Sequence, residues 1–278
     1  SMLERTLVAR LEIKQNEVLG LLKRNNGDWR LTYYHWLSRG FGLKVNTHAM
    51  LMLAQLISPQ IVERLNKDSN QPTALFLGMA GFLDNPTDDY SAELATEFKF
   101  LKNKHRLQPM ERTIWKNARL RPAAFPEFRL ALLAAFWSQN QNTLDFLNHF
   151  KNSQSWQQLL DFKAHSYWTM HYRLGKTSAK PHSAGLGKTT QTLLLINVAV
   201  PFIYAYGKML NNPQILDKAL ELLLSVAPEK NKVTRIFEPL GFSNRSAYDS
   251  QALLQLHQQY CQPKACLNCA IGSKILRA

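Results

Sequence analysis

Acidic residues are scarce in this chain: 20 Asp and Glu stand against 34 Lys and Arg, giving a formal net charge of +14. With so few carboxylates, and no convergent set of them, two-metal phosphodiester hydrolysis has no visible residue set. Cysteine is nearly absent too. Three residues, an odd number confined to Cys261, Cys266 and Cys269, do not make the paired framework of a secreted protein, and a reducing cytoplasm is the expected compartment. Runs of alternating β-branched residues are missing, so strands should be few. The longest apolar run, Leu193 to Ala205, is broken by Asn197 and Pro201 and falls short of the about 20 residues a membrane span needs. It reads as a buried helix, with no membrane span expected. No charged, apolar and small-residue series opens the chain as a signal peptide would.

What is present is helical period. Leu3, Leu7, Leu11, Val18, Leu21 and Leu22 fall on one stripe of a helix running to about Arg24. Asp28 is placed to cap the next helix, Asn46 a third, and Pro59 sits at the tolerated first turn of a fourth. Ala74 to Phe82 is apolar all round and should be interior, while Ser91 to His105 turns Leu94, Phe98 and Leu101 inward. Further helices are expected at 127–139, at 142–150, at 154–162 and across the C-terminal third. The sequence predicts an all-α, multi-helix globular or solenoid-like array of roughly a dozen helices. Residues 1–174 would form one helical region and 189–278 another, joined by a polar loop over 175–188 into one compact unit.

The richest functional signal is Lys99 to Arg129, where nine Lys and Arg face only Glu111 and Glu127, so this stretch holds half the excess charge. Pro122 and Pro126 force Arg121 and Phe125 out of helical geometry, predicting an extended connector that holds Arg119 and Arg121 rigidly. Nucleic-acid surfaces use such a mixture of cations and aromatics. Lys102, Lys104, Arg106, Lys116, Arg119, Arg121 and Arg129 are the candidate phosphate contacts, and Trp115 the candidate stacking face. The plainer alternative pairs Arg119, Arg121 and Arg129 with carboxylates or with carbonyls at helix ends.

Four other features merit weighing. Gly185-Leu186-Gly187-Lys188-Thr189 has the look of a phosphate loop, but His182 stands where its first glycine belongs and no strand precedes it; a solvated loop leading into a helix is the better reading. Cys261, Cys266 and Cys269 with His257, one helical turn ahead, have spacing suited to a zinc ion, or to an iron–sulfur cluster with one further ligand; small buried residues pinning the chain end are the plain alternative. His35, His165 and His171 lie among aromatics at helical spacing and read as core histidines rather than catalytic ones. Asp84, Asp88 and Asp89 read as loop and cap residues. No catalytic constellation is evident.

Taken together, the strings WRLTYYHWLSRGFGLKVN, ALFLGMAGFL, WKNARLRPAAFPEFRLA and the terminal SQALLQLHQQYCQPKACLNCAIG resemble an uncharacterised Bacteroidetes-type bacterial family catalogued as domain of unknown function 2851. The resemblance covers almost the whole chain and corresponds to the helical C-terminal portion of that family. It implies no activity and no functional residue. It implies that longer members carry an additional N-terminal portion richer in strands, a possible partner of this one. Two functions are therefore carried forward: nucleic-acid binding through residues 99–129, and a helical accessory domain of a longer protein with a structural cysteine cluster and no activity of its own.

Overall fold

The computed structural model describes residues 2–66, 70–140, 150–269 and 271–272. In chain order the elements are α1 (Met2–Arg24), α2 (Trp29–Phe41), α3 (Thr47–Leu56), α4 (Pro59–Glu63), α5 (Gln71–Met79), α6 (Asp89–His105), α7 (Pro126–Gln139), α8 (Ser153–Leu159), β1 (His171–Arg173), β2 (Lys176–Thr177), α9 (Lys188–Leu194), α10 (Val200–Met209), α11 (Pro213–Leu224), α12 (Lys232–Phe237) and α13 (Ala247–Leu256). The all-α expectation holds. The two short strands form an antiparallel hairpin, with His171 opposite Thr177. The helix expected over 142–150 lies almost wholly outside the described residues.

The chain divides into two units. One comprises Ser1–Arg24, Phe150–Ser153 and Leu195–Ala278; the other comprises Asn25–His149 and Gln154–Leu194. The division therefore departs from the one expected at the 175–188 loop. The physical reason is that α1 buries its Leu7, Leu11, Val18 and Leu21 stripe against α10 and α13, late elements that sequence order separates from it.

In the first unit α1 packs on α13 and α10, and α10 packs on α11. Asn212 caps α11 by accepting from the backbone N–H of Gln214 at 3.0 Å. The run from Lys188 to Met209 passes through α9, a π-helical turn at Leu195–Ala199 and α10. By length and composition that helix could cross a membrane, and 67% of its most apolar window is buried within the protein, as in a core helix.

In the second unit Asp28 caps α2, its carboxylate accepting from Arg30 N at 2.8 Å and Leu31 N at 3.0 Å. Helix α2 packs on α3, while α5 packs against both α6 and α7. From Pro72 to Met79 every residue of α5 is buried, as the apolar run that begins at Ala74 requires. Gly78 lets the Phe98 ring of α6 lie directly on the α5 backbone, where a Cβ would collide with it. Helix α6 opens with a capping box in which Asp88 Oδ1 accepts from Ser91 N at 2.8 Å and Ser91 Oγ accepts from Asp88 N at 3.0 Å.

Candidate functional site

The connector between α6 and α7 begins with a left-handed residue. Arg106 has φ of 53° and caps α6, and the next N–H, that of Leu107, reaches back to Lys102 O at 3.0 Å. Beyond Pro109 the chain is fastened along its length. Met110 N donates to Met79 O at 2.9 Å, and the Trp115 indole N–H donates to Ala80 O at 3.0 Å. Gly81, at φ of 76°, permits this close approach, since a Cβ there would come within 2.7 Å of Met110 O. Lys116 is then held by the side chain of Asn46, donating N–H to Oδ1 and accepting from Nδ2. Arg121 (ψ 148°) and Phe125 (ψ 138°) are extended, as the prolines after them dictate.

This backbone leaves Lys102, Lys104, Arg106, Lys116, Arg119 and Arg121 exposed, together with Lys99 and Arg112. Among the described residues none of these eight forms an ion pair. Lys104 lies over the ring of Phe100 at 5.6 Å and Arg112 over Phe82 at 5.0 Å. Two expected members fall out of the surface. Trp115 is 4% exposed and packs against Phe82 at 5.9 Å, so its ring offers no stacking face. Arg129 is 3% exposed; its Nε donates to the carbonyl of Phe41, the last residue of α2, at 2.8 Å. For Arg129 the plainer alternative, a cation on a helix-end carbonyl, is the correct one. Burial pulls its guanidinium down to about 9. The exposed ring in this region is Phe100, 56% accessible, which the sequence pattern placed on a helix without singling it out.

A second constellation lies around Asp88. Its carboxylate accepts from the Tyr167 hydroxyl and from the Gly175 N–H. Burial opposes its charge, but the bonds from Ser91, Tyr167 and Gly175 outweigh that and hold the carboxyl below its ordinary value. Four rings stack here in sequence: His165 on Tyr90 at 5.0 Å, Tyr90 on Tyr167 at 4.1 Å, and Tyr167 on His171 at 3.8 Å. His165 is exposed and His171 half-buried, which corrects their reading as core histidines. His35 is a core histidine, 6% exposed. The glycine-rich 185–188 segment is indeed a loop: Gly185 bridges to Lys163, and α9 starts at Lys188.

At the C-terminus Cys269 packs with Phe237, Leu253 and Leu256, while Cys261 and Cys266 are exposed and all three thiols are free. Burial, then the neighbouring Cys269 and Cys266, push the Cys261 thiol up. Among the described residues no group of three or more His, Cys, Asp or Glu is placed to hold a metal ion. The zinc or iron–sulfur site expected at His257, Cys261, Cys266 and Cys269 is therefore not supported.

A family model described as "Protein of unknown function (DUF2851)" matches residues 1–232. The chain belongs to that family. In this DUF2851 chain the basic connector and the aromatic stack both lie within the matched residues, and the cysteines lie beyond them. No curated protein and no solved structure matches the chain. The sequence signal for the Asp88 and Tyr167 contact was weak: 79 residues separate the two, and Asp88 alone reads as a helix cap, which it also is.

Proposed function

We propose that this DUF2851 chain binds nucleic acid through the connector between α6 and α7, with Lys102, Lys104, Arg106, Lys116, Arg119 and Arg121 neutralising phosphates and Phe100 offering a ring for a base. The observation that carries this reading is the exposure of all six cations, Lys102 and Lys104 in the last turn of α6 and the other four on the connector that Asn46 and Ala80 clamp, with no carboxylate partner among the described residues. Cations already held apart from carboxylates need break no ion pair to meet a polyanion. Released counterions then supply the driving force.

Labelled single strands and duplexes titrated at 50 and 200 mM salt test this. Six phosphate contacts should cost affinity about a thousandfold over that range. In the K116E/R119E/R121E variant binding should be lost while the melting temperature holds. Absence of binding at low salt, or binding that ignores the charge reversal, rejects the reading.

A further inference from the structure

A pocket of about 430 Å³ opens beside α6, lined among others by Glu93, Glu97, Asn70, Gln139, Lys163 and His165. Its size falls within the roughly 300–1,000 Å³ of small-molecule sites. None of the exposed connector cations lines it, so it is a separate feature from the basic surface.

Three properties of its walls converge. The first is a flat, exposed ring with a second ring on one of its faces. Tyr90 covers one side of His165 at 5.0 Å and 16°, Tyr167 and His171 continue the stack behind it, and no other ring among the described residues lies on the opposite side. The imidazole plane is also held from its edge, because His165 Nδ1 accepts the Tyr167 N–H at 3.2 Å. The second is a pair of oriented carboxylates, four residues apart and so on one face of α6. Glu93 Oε1 accepts from Asn70 Nδ2 at 2.9 Å and Glu97 Oε1 from Gln71 Nε2 at 2.8 Å. Each carboxylate is fixed by one bond and retains acceptor capacity, since an ionised carboxyl has about four lone-pair sites. The third is Lys163, which lines the same pocket yet pairs with neither glutamate.

A simple cation would use the carboxylates, would be repelled by Lys163 and would leave the ring unused. An anion would meet the reverse problem. A planar ligand with two adjacent N–H donors on one edge and an acceptor beside them uses all three. We infer that this pocket binds guanine, presented by a guanine nucleotide. The purine stacks on His165, its N1–H and 2-amino group donate to a glutamate carboxylate, and the Lys163 ammonium serves O6 or the phosphate. Adenine offers a bare N1 acceptor where the carboxylate needs a donor and is disfavoured by lone-pair repulsion. The inference goes beyond the basic surface and does not depend on it.

Guanosine, inosine and adenosine monophosphates titrated by calorimetry into the whole chain provide the test. Guanosine monophosphate should bind best. Inosine monophosphate, lacking the 2-amino donor, should bind about tenfold weaker, which corresponds to the ~1.4 kcal/mol of one lost bond, and adenosine monophosphate weaker still. E93Q/E97Q should weaken the guanine ligand and leave adenine binding unchanged. H165N retains an acceptor for Tyr167 N–H while removing the ring, and should weaken all three nucleotides alike. Equal affinity for the guanine and adenine nucleotides in the unaltered protein, no heat with any nucleotide, or preference for putrescine over guanosine monophosphate would each overturn the inference. K116E/R119E/R121E should bind guanosine monophosphate normally, so failure of the surface and failure of the pocket are read separately. Guanine-rich and guanine-free oligonucleotides then show whether the base arrives free or in a strand.

Discussion

Asn46 and Lys116, 70 residues apart, hold each other by two reciprocal bonds, Lys116 N–H to Asn46 Oδ1 at 2.9 Å and Asn46 Nδ2–H to Lys116 O at 2.9 Å. A buried amide thus imitates the pairing of a neighbouring strand. It fixes the backbone of Lys116 while its ammonium remains exposed. Asn46 occupies the N-cap position of α3 but makes no side-chain cap bond there, because its two polar atoms are committed to the connector.

Asn46→Ala should therefore destabilise the protein by about 1–3 kcal/mol, the cost of leaving a backbone donor and acceptor unmet. It should also weaken strand binding although no charge is removed. Urea unfolding and fluorescence anisotropy on the same variant measure the two effects. Unaltered strand binding would show that the clamp does not position the cations.

Trp115→Phe removes the indole N–H that Ala80 O accepts and keeps most of the buried ring. A loss of about 1 kcal/mol is expected from the missing bond. The dependence of strand affinity on salt should not move, because this ring is inside. A changed slope would return Trp115 to the binding surface.

Arg129→Met should leave strand binding untouched, in contrast to charge reversal at Arg121. Its stability is informative as well. Arg129 is buried with Nη2 unpartnered, and burial brings its guanidinium down to about 9, so holding the cation inside costs free energy at pH 7. Met removes that cost but also strips Phe41 O of its donor, a loss of about 1–3 kcal/mol, so a melting temperature at or below that of the parent is expected.

His35 makes stability pH-dependent. Burial depresses its imidazole from the ordinary 6.5 to about 4, opposed only in part by a bond to the Ala54 carbonyl and by Asp28. The unfolded chain takes up a proton that the folded chain refuses, so this contribution is complete above about pH 6.5. It is lost as the pH falls towards 4, and levels off below. Denaturant midpoints should drop over that window by an amount on the order of 2 kcal/mol. His35→Phe should flatten that part of the profile, and an unchanged profile would show that His35 is not its source.

Cys269→Ala should cost about 1 kcal/mol through the lost packing against Phe237, Leu253 and Leu256. Cys261→Ser and Cys266→Ser, at exposed positions, should be close to neutral. Thermal melts with and without a strong chelator should superimpose. A chelator-induced drop in melting temperature would instead reveal a metal at the chain end.

The local chain was legible wherever the deciding interactions lie within a few residues. The Asp28 cap, the extended residues before Pro122 and Pro126, and the all-round burial of α5 each follow from near neighbours. Asn46 shows the limit: it stands where a cap belongs, but its side chain answers to Lys116. Trp115 and Arg129 show it again. Both sit in a basic, aromatic stretch that reads as surface, and both are turned inward by partners at Ala80 and Phe41. Composition records that a residue is cationic or aromatic, not whether a carbonyl awaits it in the interior.

By itself the sequence determined helical class, most helix ends, and the concentration of positive charge from the end of α6 to the start of α7, because period, capping and proline geometry act over one or two turns. Tertiary structure decided which of those cations reach solvent, that α1 joins the late helices, and that His165, Tyr90, Tyr167 and His171 form one stack beside Glu93 and Glu97. Those outcomes depend on close packing between segments far apart in the chain, and such contacts leave no spacing to read.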